Sequence, residues 1–277
     1  MTYNYVQAPL PFQGQKRRFL KSFKEALKTF PEDAIYIDLF GGSGLLSHTV
    51  KQFYPGSQVV YNDFDGYSYR LENVQKTNSL LSDIREICSV SKNRKEKLSD
   101  EINTEIIARI SKEQGFIDWV TISSNLLFSM NYVTNFEQLK KETFYNKVRL
   151  SNYHVDGYLE GVSKVSEDYL SLYAKYKNNP KSVFLVDPPY LSTNCTTYTN
   201  TDYWKLSDYL NVLNTVENSS YFYFTSNKSQ IIELCEWMGK RGYFRNPFDG
   251  STTVSINTSL THNAKYDDIM LYRNKND

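Results

Sequence analysis

Apolar residues recur at helix spacing over 16–29, where Phe19, Leu20, Phe23 and Leu27 share one face before Pro31 interrupts the chain. A short apolar run over 34–38 predicts a buried strand. A glycine turn, Phe40-Gly41-Gly42-Ser43-Gly44, follows, and 45–53 predicts the helix after it. Pro55-Gly56 then turns the chain into a second strand over 58–61, which ends at Asn62-Asp63. Together these segments form a βαβ unit. From about 66 to 155 the pattern is mainly helical, with helices expected over 80–88, 102–110 and 117–127, dense charge over 92–97 and no strand alternation. The α/β pattern resumes near 181. A four-residue apolar run, Val183-Phe184-Leu185-Val186, ends at Asp187-Pro188-Pro189-Tyr190, and a polar loop follows over 192–201. Beyond it come a helix over 206–216, a strand over 221–225, a helix over 231–238, and a hairpin from strands over 252–256 and 269–272. The expected architecture is an α/β domain, 1–65 and 160–277, split by a helical insertion, 66–159.

Composition narrows the classes. The 277 residues suffice for a sizeable core without disulfide or metal staples. Lys and Arg total 32 against 31 Asp and Glu, which excludes a globally polybasic nucleic-acid coat but leaves room for a local basic groove. No run of about 18 apolar residues is present, so no membrane span is expected, and the N-terminus lacks the charged and apolar regions of a secretory signal. Cys88, Cys195 and Cys235 stand apart, and so do His48, His154 and His262. Neither set has metal-ligand spacing, so no metal is expected and a reducing cytoplasm is the default. Cys88 and Cys235 read as core residues and the histidines as structural or surface groups.

Two constellations carry chemistry. In the first, the glycines let the backbone turn sharply next to a ligand. Asp63 lies 19 residues beyond Gly44, where nucleotide-binding folds place a carboxylate against ribose hydroxyls. The spacing is not that of a dinucleotide fingerprint, and Asp38 closes the first strand with an acid. A ligand with a positive centre suits that acid better than a pyrophosphate does. An ordinary glycine turn is the alternative. In the second, two prolines fix φ near about −65° and remove two backbone donors, which makes a stiff corner beyond the strand. There a carboxylate and a main-chain carbonyl can both face one exocyclic amino group, and Tyr190 offers a flat face for stacking. A plain turn is the alternative.

With these motifs in order, the sequence resembles the Dam-type DNA adenine-N6 methyltransferases, which are class I S-adenosylmethionine (SAM) enzymes. The resemblance covers most of 7–65 and 160–273. It rests on Pro11-Phe12-Gln13-Gly14-Gln15-Lys16, Phe40-x-Gly42-x-Gly44, Asn62-Asp63, Glu167-Asp168-Tyr169, Asp187-Pro188-Pro189-Tyr190, Phe224-Thr225-Ser226-Asn227 and Asn263-Ala264-Lys265-Tyr266-Asp267-Asp268. It implies a Rossmann-like sheet with helices on both faces and an inserted, mainly helical target-recognition domain. It also implies that Phe12, Gly14 and Lys16 line the SAM site with Asp38, Phe40, Gly42, Ser43 and Gly44. Asp63 would take the ribose, Asp168 the adenine amino group of SAM, with Tyr169 packed nearby. Asp187 with Pro188, Pro189 and Tyr190 would hold the target adenine. Segment 126–149 lacks the family's Asn-Arg…Phe-Asn pattern, so no recognition sequence is carried over.

Duplex DNA is the expected partner, and a monomer the expected state. Arg17 and the cluster Lys140, Lys141, Lys147 and Arg149, interleaved with Phe144, Tyr145 and Tyr153, suit phosphate contacts and base readout. Asn194 and Tyr198 lie in the loop expected to close over a flipped base or touch phosphates. Charges over 92–97 read better as a solvated face. Methylation of another planar amide or amine, a catalytically silent DNA-binding relative, and a nicotinamide dehydrogenase are competing readings, the last disfavoured by the glycine spacing.

Overall fold

The structure, a computed structural model, describes residues 4–91, 93–128, 131–190, 204–261 and 264–275, with backbone alone for 258–261, 264 and 265. In chain order the elements are α1 (Leu20–Leu27), β1 (Ile35–Asp38), α2 (Leu45–Phe53), β2 (Gln58–Asn62), α3 (Tyr67–Glu72), α4 (Val74–Cys88), α5 (Asp100–Ile110), α6 (Trp119–Leu126), α7 (Phe136–Leu139), β3 (Ser163–Val165), α8 (Tyr169–Tyr176), β4 (Ser182–Val186), α9 (Leu206–Leu213), β5 (Ser220–Ser226), a 3₁₀ turn at Asn227–Ser229, α10 (Ile231–Lys240), β6 (Thr252–Thr261) and β7 (Ala264–Arg273). Among the described residues no helix is long and apolar enough to cross a membrane.

The chain forms two compact units. One contains Ala8–Gly14 and Gly66–Tyr158; the other contains Asn4–Gln7, Gln15–Asp65 and the described parts of Leu159–Asp277. The second holds a seven-stranded sheet of order β3-β2-β1-β4-β5-β7-β6. Strands β3, β2, β1, β4 and β5 are parallel, and β7 runs antiparallel between β5 and β6. Strand β4 is buried along its whole length, as a parallel strand covered on both faces must be. Side-chain alternation divides its residues between two cores. Phe184 and Val186 join Ile37, Tyr221 and Tyr223 under α8, α9 and α10. Val183 and Leu185 join Tyr36, Phe222 and Phe224 under α1 and α2. In that second core the Phe23 ring meets Phe222 edge-on at 4.8 Å, a contact whose loss in a Phe23→Ala change costs about 3–5 kcal/mol.

The insertion unit is knitted by buried polar groups as well as by apolar faces. Arg70 Nε donates to Asp118 Oδ1 at 3.0 Å, and Asp118 also caps α6 by accepting from Thr121 N. Asn78 exchanges two 2.9 Å hydrogen bonds with the main chain of Tyr153.

Most expected elements are present, and β6 and β7 are each longer than the expected strands. Four were not foreseen: α3, α7, β3 and α8. Helix α1 starts at Leu20 rather than 16, because the preceding residues form a separate turn in which Phe19 N donates to Lys16 O. Cys88 and Cys235 are buried, as expected, and so is His48, while His154 is exposed.

Candidate active site

The strand order reverses between β1 and β4, and in open α/β sheets a crevice forms at the carboxyl ends of the strands at such a point. Asp38 ends β1, Asp63 follows β2, and Asp187 follows β4. The β1–β4 register pairs Asp38 with Leu185, so Asp187 stands two residues past that pairing on the neighbouring strand.

Asp38 is buried, with Oδ2 accepting from Ser47 Oγ at 2.7 Å. Its Oδ1 has no hydrogen-bond partner among the described residues. Burial pushes its pKa up to about 7. The Ser47 hydroxyl pulls it back in part, and nearby Asp187 pushes it further up.

Asp187 pairs with Lys16, Oδ2 to Nζ at 2.5 Å, and their side chains are 18% and 10% exposed. Burial raises the Asp187 carboxyl above the usual carboxylate range, Lys16 offsets part of that, and Asp268 adds to it. The Lys16 ammonium also lies 5.2 Å from the centre of the Tyr190 ring and 5.9 Å from that of Phe224. The proline-braced corner thus gathers a buried carboxylate, its cation and an aromatic face. The backbone before Lys16 is short and turned, which is why this lysine faces inward instead of continuing α1.

The glycine turn between β1 and α2 is shaped by its neighbours. A Cβ on Gly41 would lie 2.2 Å from the Tyr61 ring and 2.7 Å from Asn62 O. Gly44 has φ +72°, and a Cβ there would lie 2.7 Å from Leu159. Ser43 is buried within this turn. Asn62 ties three segments together. Its Nδ2 donates to Leu39 O and Glu167 O at 3.0 and 2.9 Å, and its Oδ1 accepts from Glu167 N at 2.9 Å. Asp168 therefore follows a clamped residue. Its own Oδ2 caps α8 by accepting from Ser171 N, a role not read from the sequence. Tyr169 packs against Phe40 with ring centres 4.9 Å apart. Trp204, not foreseen, completes the cluster at 5.7 Å from Phe40 and 5.9 Å from Tyr169.

The structure brings together Lys16, Asp38, Phe40, Gly42, Ser43, Gly44, Asp63, Asp168, Tyr169, Asp187, Pro188, Pro189 and Tyr190 in one unit. Phe12 and Gly14 belong to the other unit, where Phe12 meets Tyr67 edge-on at 5.7 Å. Arg17 is exposed and donates to Gln7 Oε1. Asn194, Tyr198, Cys195 and His262 lie outside the described residues.

In the insertion unit, Lys140 pairs with Glu137 at 2.7 Å, and Lys141 is exposed. Lys147 is half-buried, and its Nζ donates to Leu127 O at 2.7 Å. Partial burial, with Lys95 nearby, lowers its pKa. The Arg149 guanidinium lies over Tyr153 at 4.6 Å. Two aromatic residues expected at a DNA surface are instead core. Phe144 is fully buried, and Tyr153 is buried with its hydroxyl accepting from Asn125. Segment 144–149 buries every second residue, Phe144, Asn146 and Val148, and presents Tyr145, Lys147 and Arg149 on the other side. The aromatic residue that is exposed here is Phe128, whose ring lies 5.9 Å from Tyr145.

A sheet of this order with its antiparallel seventh strand, and acids and a glycine turn at the switch point, defines a Rossmann-like class I methyltransferase. The chain belongs to the D12 class N6 adenine-specific DNA methyltransferase family, whose profile matches residues 12–229. It therefore methylates adenine N6 in DNA, and the family implies S-adenosylmethionine as the methyl donor. A protein of Haemophilus influenzae strain Rd described as a methyltransferase is 38% identical over 276 residues, 97% of this chain and 93% of that protein. Among solved structures, a precorrin-6y C5,15-methyltransferase from Geobacter metallireducens is 8% identical with a TM-score of 0.39, over 98% of this chain and 100% of that one. A SAM-dependent methyltransferase from Agrobacterium tumefaciens is 10% identical with a TM-score of 0.40, over 92% and 60%. The donor set here fits such a cofactor, because a buried carboxylate oxygen of Asp38 lacks a partner at the edge where a cationic ligand is expected.

Proposed function

We infer that the protein is a monomeric, site-specific methyltransferase that acts on an adenine flipped out of duplex DNA, with Asp187 and the Pro188 carbonyl as its N6 ligands. The observation that carries this reading is the buried Lys16–Asp187 pair at the switch point, next to Asp38. Asp63, Asp38 and the Phe40–Gly44 turn would hold the cofactor, with Asp168, Tyr169 and Phe40 at its adenine and Phe12, Gly14 and Lys16 completing the site. When bound, SAM supplies an electrophilic methyl group on a sulfonium centre.

The lone pair of adenine N6 is delocalised into the ring, so this nitrogen is a poor nucleophile. Asp187 and the Pro188 carbonyl accept its two hydrogens and favour a more tetrahedral nitrogen whose lone pair is free to react. Lys16 holds one Asp187 oxygen and leaves the other for the base. It also keeps the carboxyl ionised against burial. That same burial makes Asp187 a better acceptor for the proton N6 releases. Pro188 and Pro189 lack N–H groups and fix the corner, so catalysis is mainly positioning and electrostatics. Tyr190 offers the stacking face that offsets unstacking, a cost of a few kcal/mol. Arg17, Lys140, Lys141, Lys147 and Arg149 would meet phosphates or base edges, and Asn194 and Tyr198 the flipped nucleotide. A tritium-transfer assay on duplex DNA, single-stranded DNA and RNA tests the reading, with sequencing for N6-methyladenine in cells expressing the protein. Transfer to RNA in preference to duplex DNA would overturn it.

A further inference from the structure

Tyr61 stands one residue before the end of β2 and is fully buried. Its ring lies so close to the glycine turn that a Cβ on Gly41 would come within 2.2 Å of it. Its hydroxyl lies 2.8 Å from Gly42 O and 2.9 Å from Asp63 Oδ1. A phenol has one proton, so it donates to one of these acceptors at a time while touching both. Phenylalanine would fill the same space with the same apolar contacts, so packing does not account for the hydroxyl. Both of its acceptors lie on segments that carry cofactor contacts in the reading above, one on the turn and one on the ribose carboxylate.

We propose that Tyr61 is a positioning residue of the cofactor site, a strut that sets the spacing between the Gly42 carbonyl and Asp63 and turns the second oxygen of Asp63 toward the ribose hydroxyls. The inference rests on the reading of Asp63 as the ribose ligand. With Oδ1 held by the phenol, the carboxylate has one free oxygen and a fixed plane. Without the phenol it rotates, and the turn loses a partner for its carbonyl.

The test uses the full chain and two probes in calorimetric titrations, S-adenosylhomocysteine and its 2′,3′-dideoxy analogue. Tyr61→Phe is expected to weaken S-adenosylhomocysteine binding about tenfold, the scale of a hydrogen bond to a charged group. It should leave the dideoxy analogue within twofold, because that analogue has no hydroxyl for Asp63 to accept. Asp63→Ala should weaken S-adenosylhomocysteine at least as much, and adding Tyr61→Phe to it should change little further. A merely structural defect lowers both probes alike and adds to Asp63→Ala, which would overturn the strut. Because the decisive quantity is a ratio between two probes on one sample, partial unfolding of the variant does not blur it. If Asp63→Ala leaves S-adenosylhomocysteine binding unchanged, the ribose reading itself fails. If Asp63→Ala weakens binding and Tyr61→Phe does not, the strut alone fails.

Discussion

Replacing Asp38 with asparagine should stabilise the ligand-free protein at neutral and alkaline pH and, at the same time, weaken its hold on the cofactor. The side chain is fully buried, and one of its oxygens has no partner among the described residues. Its pKa rises from 3.8 to about 7, first because burial penalises the charge and also because Asp187 is near. A folded-state value above the unfolded one means that the native state binds the proton more tightly. The group therefore costs nothing below about pH 4, and stability falls as pH climbs from 3.8 to about 7 and stays lowered beyond. At 1.36 kcal/mol per pH unit that interval sets an upper bound of about 4 kcal/mol. Asparagine keeps the shape and can still accept from Ser47, but it carries no charge. Thermal scans at pH 4.5 and pH 8 should show nearly equal stability at the lower value. At the higher one the variant should melt later, by up to roughly 8 °C for a chain of this size. Affinity for SAM at pH 8 should fall roughly 10- to 100-fold, the scale of a charge-assisted contact. A variant that melts in parallel with the wild type at both pH values would show that Asp38 carries no such burden.

Three further outcomes follow from the same geometry. Asp187→Asn should lower methyl transfer to duplex DNA by about 10²- to 10³-fold while circular dichroism stays unchanged, and full activity would remove Asp187 from the mechanism. Lys16→Met removes the cation that holds the Asp187 carboxyl down, so the acid limb of the kcat/KM profile should move to higher pH, and Lys16→Arg should largely restore it; superimposable profiles for wild type and Met variant would refute the pairing role. Gly41→Ala places a methyl group 2.2 Å from the Tyr61 ring, so it should destabilise by about 1–3 kcal/mol in thermal unfolding, and a neutral result would mean that β2 yields more easily than its packing suggests.

The central strands and α2 were legible because burial on both faces makes parallel strands continuous apolar runs, and because glycine and proline punctuate their ends. Helix α2 spans the residues its pattern indicates. Strand β3 was not legible. It is a three-residue edge with two exposed positions, and its only cue is its pairing to β2. Segment 144–149 alternates by burial, yet its lysine and arginine read as a basic patch, and the alternation yields only one isolated bridge, Lys97 to Tyr145. At the site, the motif acids and glycines could be read from spacing. The Lys16–Asp187 pair, the Trp204 contact and the Tyr61 hydroxyl could not. Each depends on residues far apart in sequence, and a tyrosine inside an apolar strand reads as ordinary core.

The acids at the carboxyl edge of the sheet explain why that edge can be both unstable and useful. Asp38, Asp63 and Asp187 end three parallel strands, and Asp268 enters from antiparallel β7 close enough to raise the Asp187 carboxyl. Lys16 answers one of these charges, and the neutral donor Ser47 answers Asp38 only in part. A sheet built for stability alone would place apolar or amide groups there, since an unpaired buried carboxylate is costly. The residual negative charge makes sense as the complement of a cationic ligand that binds the folded state and relieves it. Stability and affinity then oppose each other at one residue. The Asp38→Asn change and ligand binding both raise the melting temperature, but by removing the charge in one case and by compensating it in the other. Their effects must therefore be less than additive, with SAM stabilising the wild type more than the asparagine variant at pH 8 and about equally at pH 4.5.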